Sequence, residues 1–366
     1  MYALKSILHP LTRFLLTVFG ITFCTLLMLF LVSIYEGVSD GSVRYVRESK
    51  ADLWVLQGHA SNILRNTSIL SRRVGYDLKR IEGVQNISPI TFLLASVDLP
   101  EGPTSIYLTG YDEKTGMGGP PTIVEGNTIT DNYQIVLDVA FAAKNDINVG
   151  DNIAFQGDSL KVVGISDGTN MFVIQYAFIN ILTAYKIYGT TEFVSCYLVN
   201  IKPGYDVSKV ADKIRSQMKD VAVYDKETFV ENNVREMESG ILNLLLSIAI
   251  IGGIVLAVIL SLILTVSVLE HRKEYAIMKA LGSPKYYITG LIVMQALILA
   301  AFGIVLAIAL FLPLLSLLEV ISPEITGKAT IDQVAFISFC VIVISLVSSF
   351  IPAQKVRNIY PLEVFS

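Results

Sequence analysis

The sequence predicts a membrane α-helical protein with four transmembrane helices and an α+β extracytoplasmic domain inserted between helices 1 and 2. Three observations carry this. The chain holds four long runs without a charged residue. Most of its polar residues lie between the first run and the second. Its composition is 53% hydrophobic and only 16% charged, where soluble domains carry about 25% charged residues. A deficit concentrated in a few runs is the mark of hydrocarbon as solvent.

A short N-terminal segment, 1–13, precedes the first span, Phe14 to Tyr35. A signal peptide is the alternative for this run, since Lys5 and Arg13 supply a basic start. Against it, the run has 22 apolar or small polar residues with no A-x-A-like site after it, and a signal core spans about 7–15. The second span, Ile241 to Leu269, has 29 residues and the third, Tyr286 to Leu318, has 33. Both exceed the ~20 that cross a bilayer, so they should tilt, kink or project. Pro313 marks a kink or an end in the third. The fourth runs from Gln333 to Gln354, followed by a tail, 355–366.

Lys5, Arg13, Arg272, Lys273, Lys279, Lys285, Lys355 and Arg357 flank the spans on one side. On the other, the short loop 319–332 has Lys328 alone among Glu319, Glu324 and Asp332. The excess of basic residues places both termini and the 270–285 loop in the cytoplasm, and residues 36–240 outside the cell's inner (plasma) membrane.

About 200 residues suffice for one or two cores. Strands are expected at Asp52–Leu56, Ile87–Leu99 and Ser105–Tyr111, then at Gln134–Leu137, Asn152–Gln156 and Lys161–Ile165, separated by Gly150-Asp151 and Gly157-Asp158 turns. Helices are expected at Arg72–Ile81 and Asp206–Met218, the latter capped by Asp206 or Ser208, with a strand at Val221–Tyr224. The pattern is an α+β unit with a β-rich insertion near 110–190. The charged stretch Asp225–Gly240 runs without a turn signal into the second span. Either one long helix projects from the membrane there, or the stretch is an ordinary linker.

Several functions are disfavoured. A net charge of −4 with scattered basic residues gives nucleic acid no footing. Cys24, Cys196 and Cys340 form no disulfide framework, and His9, His59 and His271 form no metal-spaced cluster. No nucleophile–His–acid set and no G-x-S-x-G occurs, so no catalytic residue is assigned. Sequons at Asn66 and Asn86 are short enough to arise by chance. The spans hold no charge, which argues against an ion path.

In the second span Ala249, Gly253, Ala257 and Ser261 recur every four residues. Such a stripe lets another helix approach closely, from a second subunit or from the same chain. In the loop 270–285, Tyr275, Met278 and Leu281 share an apolar stripe with Ile277 beside it, while Glu270, Lys273 and Glu274 are polar. Gly282 suits the helix end, Ser283 an N-cap and Pro284 a first helical position. Such a helix can meet a protein partner, or lie on membrane lipid.

This loop, with its E-x-A-x-x-K-A-x-G core, resembles the signature of the MacB/FtsX-type permeases of ABC transporters. The tail from Ile351-Pro-Ala to Pro361-Leu-Glu-Val-Phe365 is similar to that family's closing motif. Ser42-Val-Arg44, Ala51-Asp-Leu-Trp-Val55 and Val84-Gln-Asn-Ile-Ser-Pro89 look like the DevC branch, whose members lack a fused ATPase. The resemblance implies a permease half with four spans, paired with a second copy as a homodimer. It implies a coupling loop docking on a separate cytoplasmic ABC ATPase, at the matching positions Glu270, Arg272, Glu274, Lys279 and Gly282, with Ile277 on the same helix. It further implies an HlyD-type periplasmic adaptor and an outer-membrane channel for export. ATP and Mg would sit on the partner ATPase, since this sequence has no G-x-x-x-x-G-K-[ST]. Within the family, lipoprotein release and FtsX-like activation of an outer hydrolase are the alternatives. A receptor without an ATPase is the alternative outside it.

Overall fold

The computed structural model describes residues 11–63, 68–99, 102–155, 157–170, 175–284, 286–325 and 327–357. Lys5, His9, Asn66, Lys285 and the Pro361–Phe365 part of the closing motif lie outside them.

The chain begins with α1 (Leu11–Glu48), β1 (Leu53–Gln57), β2 (Leu70–Ser71), α2 (Arg72–Arg80), β3 (Val84–Leu99), β4 (Gly102–Tyr111), β5 (Thr122–Gly126) and β6 (Gln134–Asp138). There follow α3 (Val139–Lys144), β7 (Asn152–Phe155), β8 (Asp158–Asp167), β9 (Tyr176–Asn180), α4 (Ile181–Tyr188), β10 (Phe193–Val194), β11 (Cys196–Ile201), α5 (Val207–Gln217) and β12 (Val221–Asp225). The last elements are α6 (Lys226–Met237), a π-turn (Glu238–Leu242), α7 (Asn243–Glu270), α8 (Arg272–Ala280), α9 (Tyr287–Ile321), α10 (Ile331–Ser348) and α11 (Phe350–Arg357). Two compact units result. The membrane unit takes Met1–Glu36, Asn243–Leu317 and Gly327–Ser366; the large domain takes Gly37–Leu242 with Leu318–Thr326.

Among the described residues, four helices are long and apolar enough to cross a bilayer. Their shared core holds Ile21, Leu29, Leu256, Leu260, Ala300, Ala307, Phe311 and Val341. Two helices approach closely at Gly303 of α9, where a Cβ would collide with Ile21 of α1. Thr22 donates from its hydroxyl to the Gly303 carbonyl at 3.4 Å, so the polar side chain is satisfied across the same contact. Pro313 does not end the third span: α9 continues to Ile321. The fourth apolar run is divided at Ser349 into α10 and α11. A capping box opens α10, the Thr330 hydroxyl accepting from Gln333 N and the Gln333 side chain accepting from Thr330 N.

The large domain is built on one sheet in the order β12-β1-β11-β3-β4-β9-β6-β8-β5, with β7 on β8. The 16-residue strand β3 joins its halves, since 84–90 pair with β11 and 91–99 with β4. Helices α2 and α5 cover the first half through Leu78, Val210 and Ile214, packed on Leu53, Val55 and Val199. Asp206 caps α5, accepting from Ser208 N and Lys209 N. The second half has its own core of Leu108, Leu137, Phe141, Val162 and Ile179. The β-rich part therefore extends the same sheet. Strands β9 and β11 have no counterpart in the sequence reading, because both are central and almost wholly buried. A central strand loses the alternation that reveals a half-buried one.

The stretch after Asp225 is not one helix with the second span. Helix α6 ends at Met237, and Gly240 has φ −113° and ψ −115°, outside helical geometry. The end of α9 and the residues after it, Leu318–Thr326, belong to the large domain.

Candidate coupling site

Helix α8 is fixed by one buried face. Tyr275 and Ala276 are inaccessible and pack with Val268, Ile288, Ile292 and Val356, joined by Met278. The Tyr275 hydroxyl lies beside the Gln295 side chain, and burial raises the phenol's pKa. The stripe differs from the sequence reading in one residue. Leu281 is 84% exposed, because Leu281 ends the helix and the chain turns away at Gly282.

That turn is a Schellman motif. Gly282 has φ +86°, its N–H donates to Lys279 O at 3.1 Å, and Ser283 N donates to Met278 O at 3.1 Å. Only glycine takes this conformation without strain. Helix α9 starts at Tyr287 and not at Pro284, whose carbonyl accepts from Tyr287 N at 2.9 Å. Lys279 Nζ donates to Val356 O at 2.7 Å, so a cation meets a carbonyl at the end of α11. The spacing of 77 residues hid this tie from a reading of the loop alone.

The opposite face is accessible. Glu270, Arg272, Lys273, Glu274, Ile277, Leu281 and Gly282 are exposed, and His271 Nδ1 lies 3.3 Å from Glu274 Oε2. Ile277 and Leu281 stand at i, i+4, an apolar pair bordered by charge. Glu270 at the end of α7, Arg272, Glu274 and Ile277 on α8, and Gly282 in the turn after it are thus all accessible. It turns Lys279 inward to α11.

The α7 stripe is divided. Ala249 and Gly253 are buried, while Ala257 and Ser261 are half-buried. A Cβ at Gly253 would sit 3.3 Å from Ile344 of α10 and 3.6 Å from Met28 of α1. Of the two partners the stripe allows, the neighbours of Gly253 are the chain's own helices. The buried line runs one residue earlier, through Gly252, Leu256, Leu260, Leu264 and Val268.

Within the large domain the end of α1 is clasped by a polar network. Arg44 donates to Glu48 at 2.8 Å and to Asp167 at 3.1 Å, and the Glu48 hydrogen bond leads in raising the guanidinium's pKa. Gly168, at φ +91°, lies where a Cβ would press on Arg44, and a Cβ at Gly41 would collide with the Asn170 carbonyl. Asn170 also donates to Glu324 O at 3.0 Å, and Lys144 Nζ reaches Glu324 Oε1 at 2.7 Å. The end of β8 and the residues just after it, Asp167 to Asn170, therefore hold both α1 and the segment that follows α9. Beneath it Asp138 is buried, accepting from Thr169 Oγ1 at 2.6 Å and Ala140 N at 2.8 Å. Burial pushes its carboxyl up to about 6.

Residues 14–217 match the MacB-like periplasmic core domain, and residues 246–361 match the FtsX-like permease C-terminal family. An uncharacterised ABC transporter permease of Methanocaldococcus jannaschii is 24% identical over 99% of this chain and 96% of its own length. The macrolide export ATP-binding/permease protein MacB of Mannheimia succiniciproducens is 25% identical over 72% of this chain and 44% of its own. Among solved structures, the periplasmic region of MacB from Actinobacillus actinomycetemcomitans has a TM-score of 0.40 at 14% identity, covering 51% of this chain and 94% of that one.

Proposed function

The chain belongs to the MacB/FtsX-like family of ABC transporter permeases, and on that premise we propose that it is the DevC-like membrane subunit of an exporter driven by a separate ATPase. The ATPase docks on the 270–285 loop in the cytoplasm, with both termini on that side of the inner membrane. Two permease copies form the membrane part. Closure of the ATPases moves the large domains, and cargo leaves through an HlyD-type adaptor and an outer-membrane channel. The Mannheimia relative, named as an ATP-binding/permease protein, supports the pairing of such a permease with ATP use.

One observation supports the docking role above the rest. Helix α8 is held from behind by Tyr275 and Ala276 and closed by the Gly282 turn, while Ile277, Leu281, Arg272 and Glu274 remain accessible. A rigid helix with an apolar pair and a charged border can receive a push and pass it to α7 and α9. Lys279 acts here as a positioning residue through Val356.

The test is to tag the chain, extract it in mild detergent from cells that express the neighbouring genes, and assay the eluate for an ATPase. A stoichiometric ATPase is expected, and Glu274→Arg should remove it without changing the yield of folded permease. Wild-type transport by Glu274→Arg sinks the docking role. An eluate without ATPase moves the weight to a receptor.

A further inference from the structure

The large domain has an open cleft of about 310 Å³, far along the chain from the coupling loop. Its size is at the lower end of the ~300–1,000 Å³ of small-ligand sites. One wall is helix α2, whose residues Arg72, Tyr76 and Lys79 stand at i, i+4 and i+7 and so share a face. The single acidic residue of α2, Asp77, is not among the lining residues. The floor is apolar, formed by Ile87, Pro89 and Tyr197. Tyr197 lies directly under the helix, since a Cβ at Gly75 would be 2.7 Å from its ring. The far wall is α4 and the turn after β4.

The charges in the cleft are unbalanced in use. Arg72, Lys79 and Lys114 all line it, and none enters an ion pair among the described residues. Of the two carboxylates, Asp112 accepts from Lys114 N at 3.1 Å within its own turn. Glu113 Oε2 is shut from solvent without a hydrogen-bond donor among the described residues. Arg72 stands over the Tyr185 ring, 5.8 Å from its centroid, so the protein supplies its own cation to that face. The exposed Tyr76 and Leu182 leave apolar surface beside these cations.

We propose that this cleft binds a small amphipathic anion, its apolar body against Tyr76 and Leu182, its acid group at Arg72 and Lys79, and an N–H or O–H of the ligand donating to Glu113. The binding is a property of the large domain and stands whether or not an ATPase docks on α8.

The probe is N-acetyl-tryptophan, which carries all three groups, titrated by ligand-observed NMR onto the full chain in lipid nanodiscs. Its uncharged amide is the comparison. Saturable binding of the acid is expected, weaker by about tenfold for the amide, a change of ~1.4 kcal/mol. Arg72→Gln and, on the opposite wall, Lys114→Gln should each weaken the acid several-fold. Arg73→Gln, off the lining face, should leave it unchanged. Equal binding of acid and amide, unaltered binding in both cleft variants, equal loss in Arg73→Gln, or no saturable binding of the acid overturns the proposal.

Discussion

The chain enters its large domain by one helix and leaves by another, and the two connections differ. Helix α1 runs unbroken from Leu11 to Glu48, about 57 Å at 1.5 Å per residue. The return path has helix α6 to Met237, a π-turn over Glu238–Leu242, and a non-helical Gly240 before α7. Both are anchored in the same aromatic core. Tyr45 of α1 stacks on Tyr176 at 4.9 Å, Phe229 of α6 stacks on Trp54 at 4.7 Å, and Tyr45 meets Trp54 edge-on at 6.1 Å. The lesson is that two connectors with one anchor need not be equally stiff. A continuous helix transmits displacement along its axis, and a helix broken at a glycine can bend there.

Breaking the anchor of the stiff connector should have the largest effect. Tyr45→Ala removes a fully buried ring and the hydrogen bond from its hydroxyl to Gly118 O at 2.7 Å. Large aromatic deletions cost about 3–5 kcal/mol. Thermal unfolding of the purified chain should fall accordingly, and an unchanged midpoint contradicts the anchor.

The clasp around α1 should respond to pH through Asp138. Its carboxyl titrates near 3.8 when free and about 6 when folded, because burial disfavours the charge. The folded protein therefore holds this proton more tightly, so the contribution to stability is complete below about 4 and lost as pH rises through 6. The amount is roughly 3 kcal/mol at its fullest. Asp138→Asn keeps the cap on Ala140 N without the charge, and should flatten this part of a stability–pH curve. An identical slope in the variant argues against Asp138.

Inside the membrane unit, Gly303→Leu should force α9 away from Ile21 and destabilise the bundle by about 1–3 kcal/mol, as overpacking does. Detergent-resistance melting reads this directly. A variant as stable as the parent would mean that α1 and α9 do not meet at Gly303.

The smallest effect should come from making the two connectors alike. Gly240→Ala gains about 1 kcal/mol of helix propensity, and no atom lies within 4 Å of the added Cβ. Amide exchange over 238–242 should slow. Unchanged exchange would show that the break is imposed by tertiary packing and not by the glycine.

Much of this was legible in the residues. The four apolar runs, the Gly282 helix end and the α5 cap at Asp206 rest on interactions a few residues long. The site was legible only in part. Glu270 at the end of α7 and Arg272, Glu274 and Ile277 on α8 stand accessible, but the same pattern gave no sign that Leu281 leaves the apolar stripe or that Lys279 is taken by Val356. The capping box at Thr330 and Gln333 has its signature in the sequence, T-x-x-Q. The stripe through Gly253 was visible, while its neighbours Met28 and Ile344 were not.

By itself the sequence determined where the chain crosses a bilayer, since hydrocarbon demands long uncharged runs whatever their neighbours. It also determined most strands with an exposed face, because alternation survives there. Only the tertiary structure decided which glycines take close approach, which strands lie at the centre of the sheet, and which polar groups meet. Thr22 and Gly303 are 281 residues apart, and Asn170 and Glu324 are 154 apart. Such pairs leave no local period, because each side chain reads the same in sequence whether or not a distant backbone arrives to satisfy it.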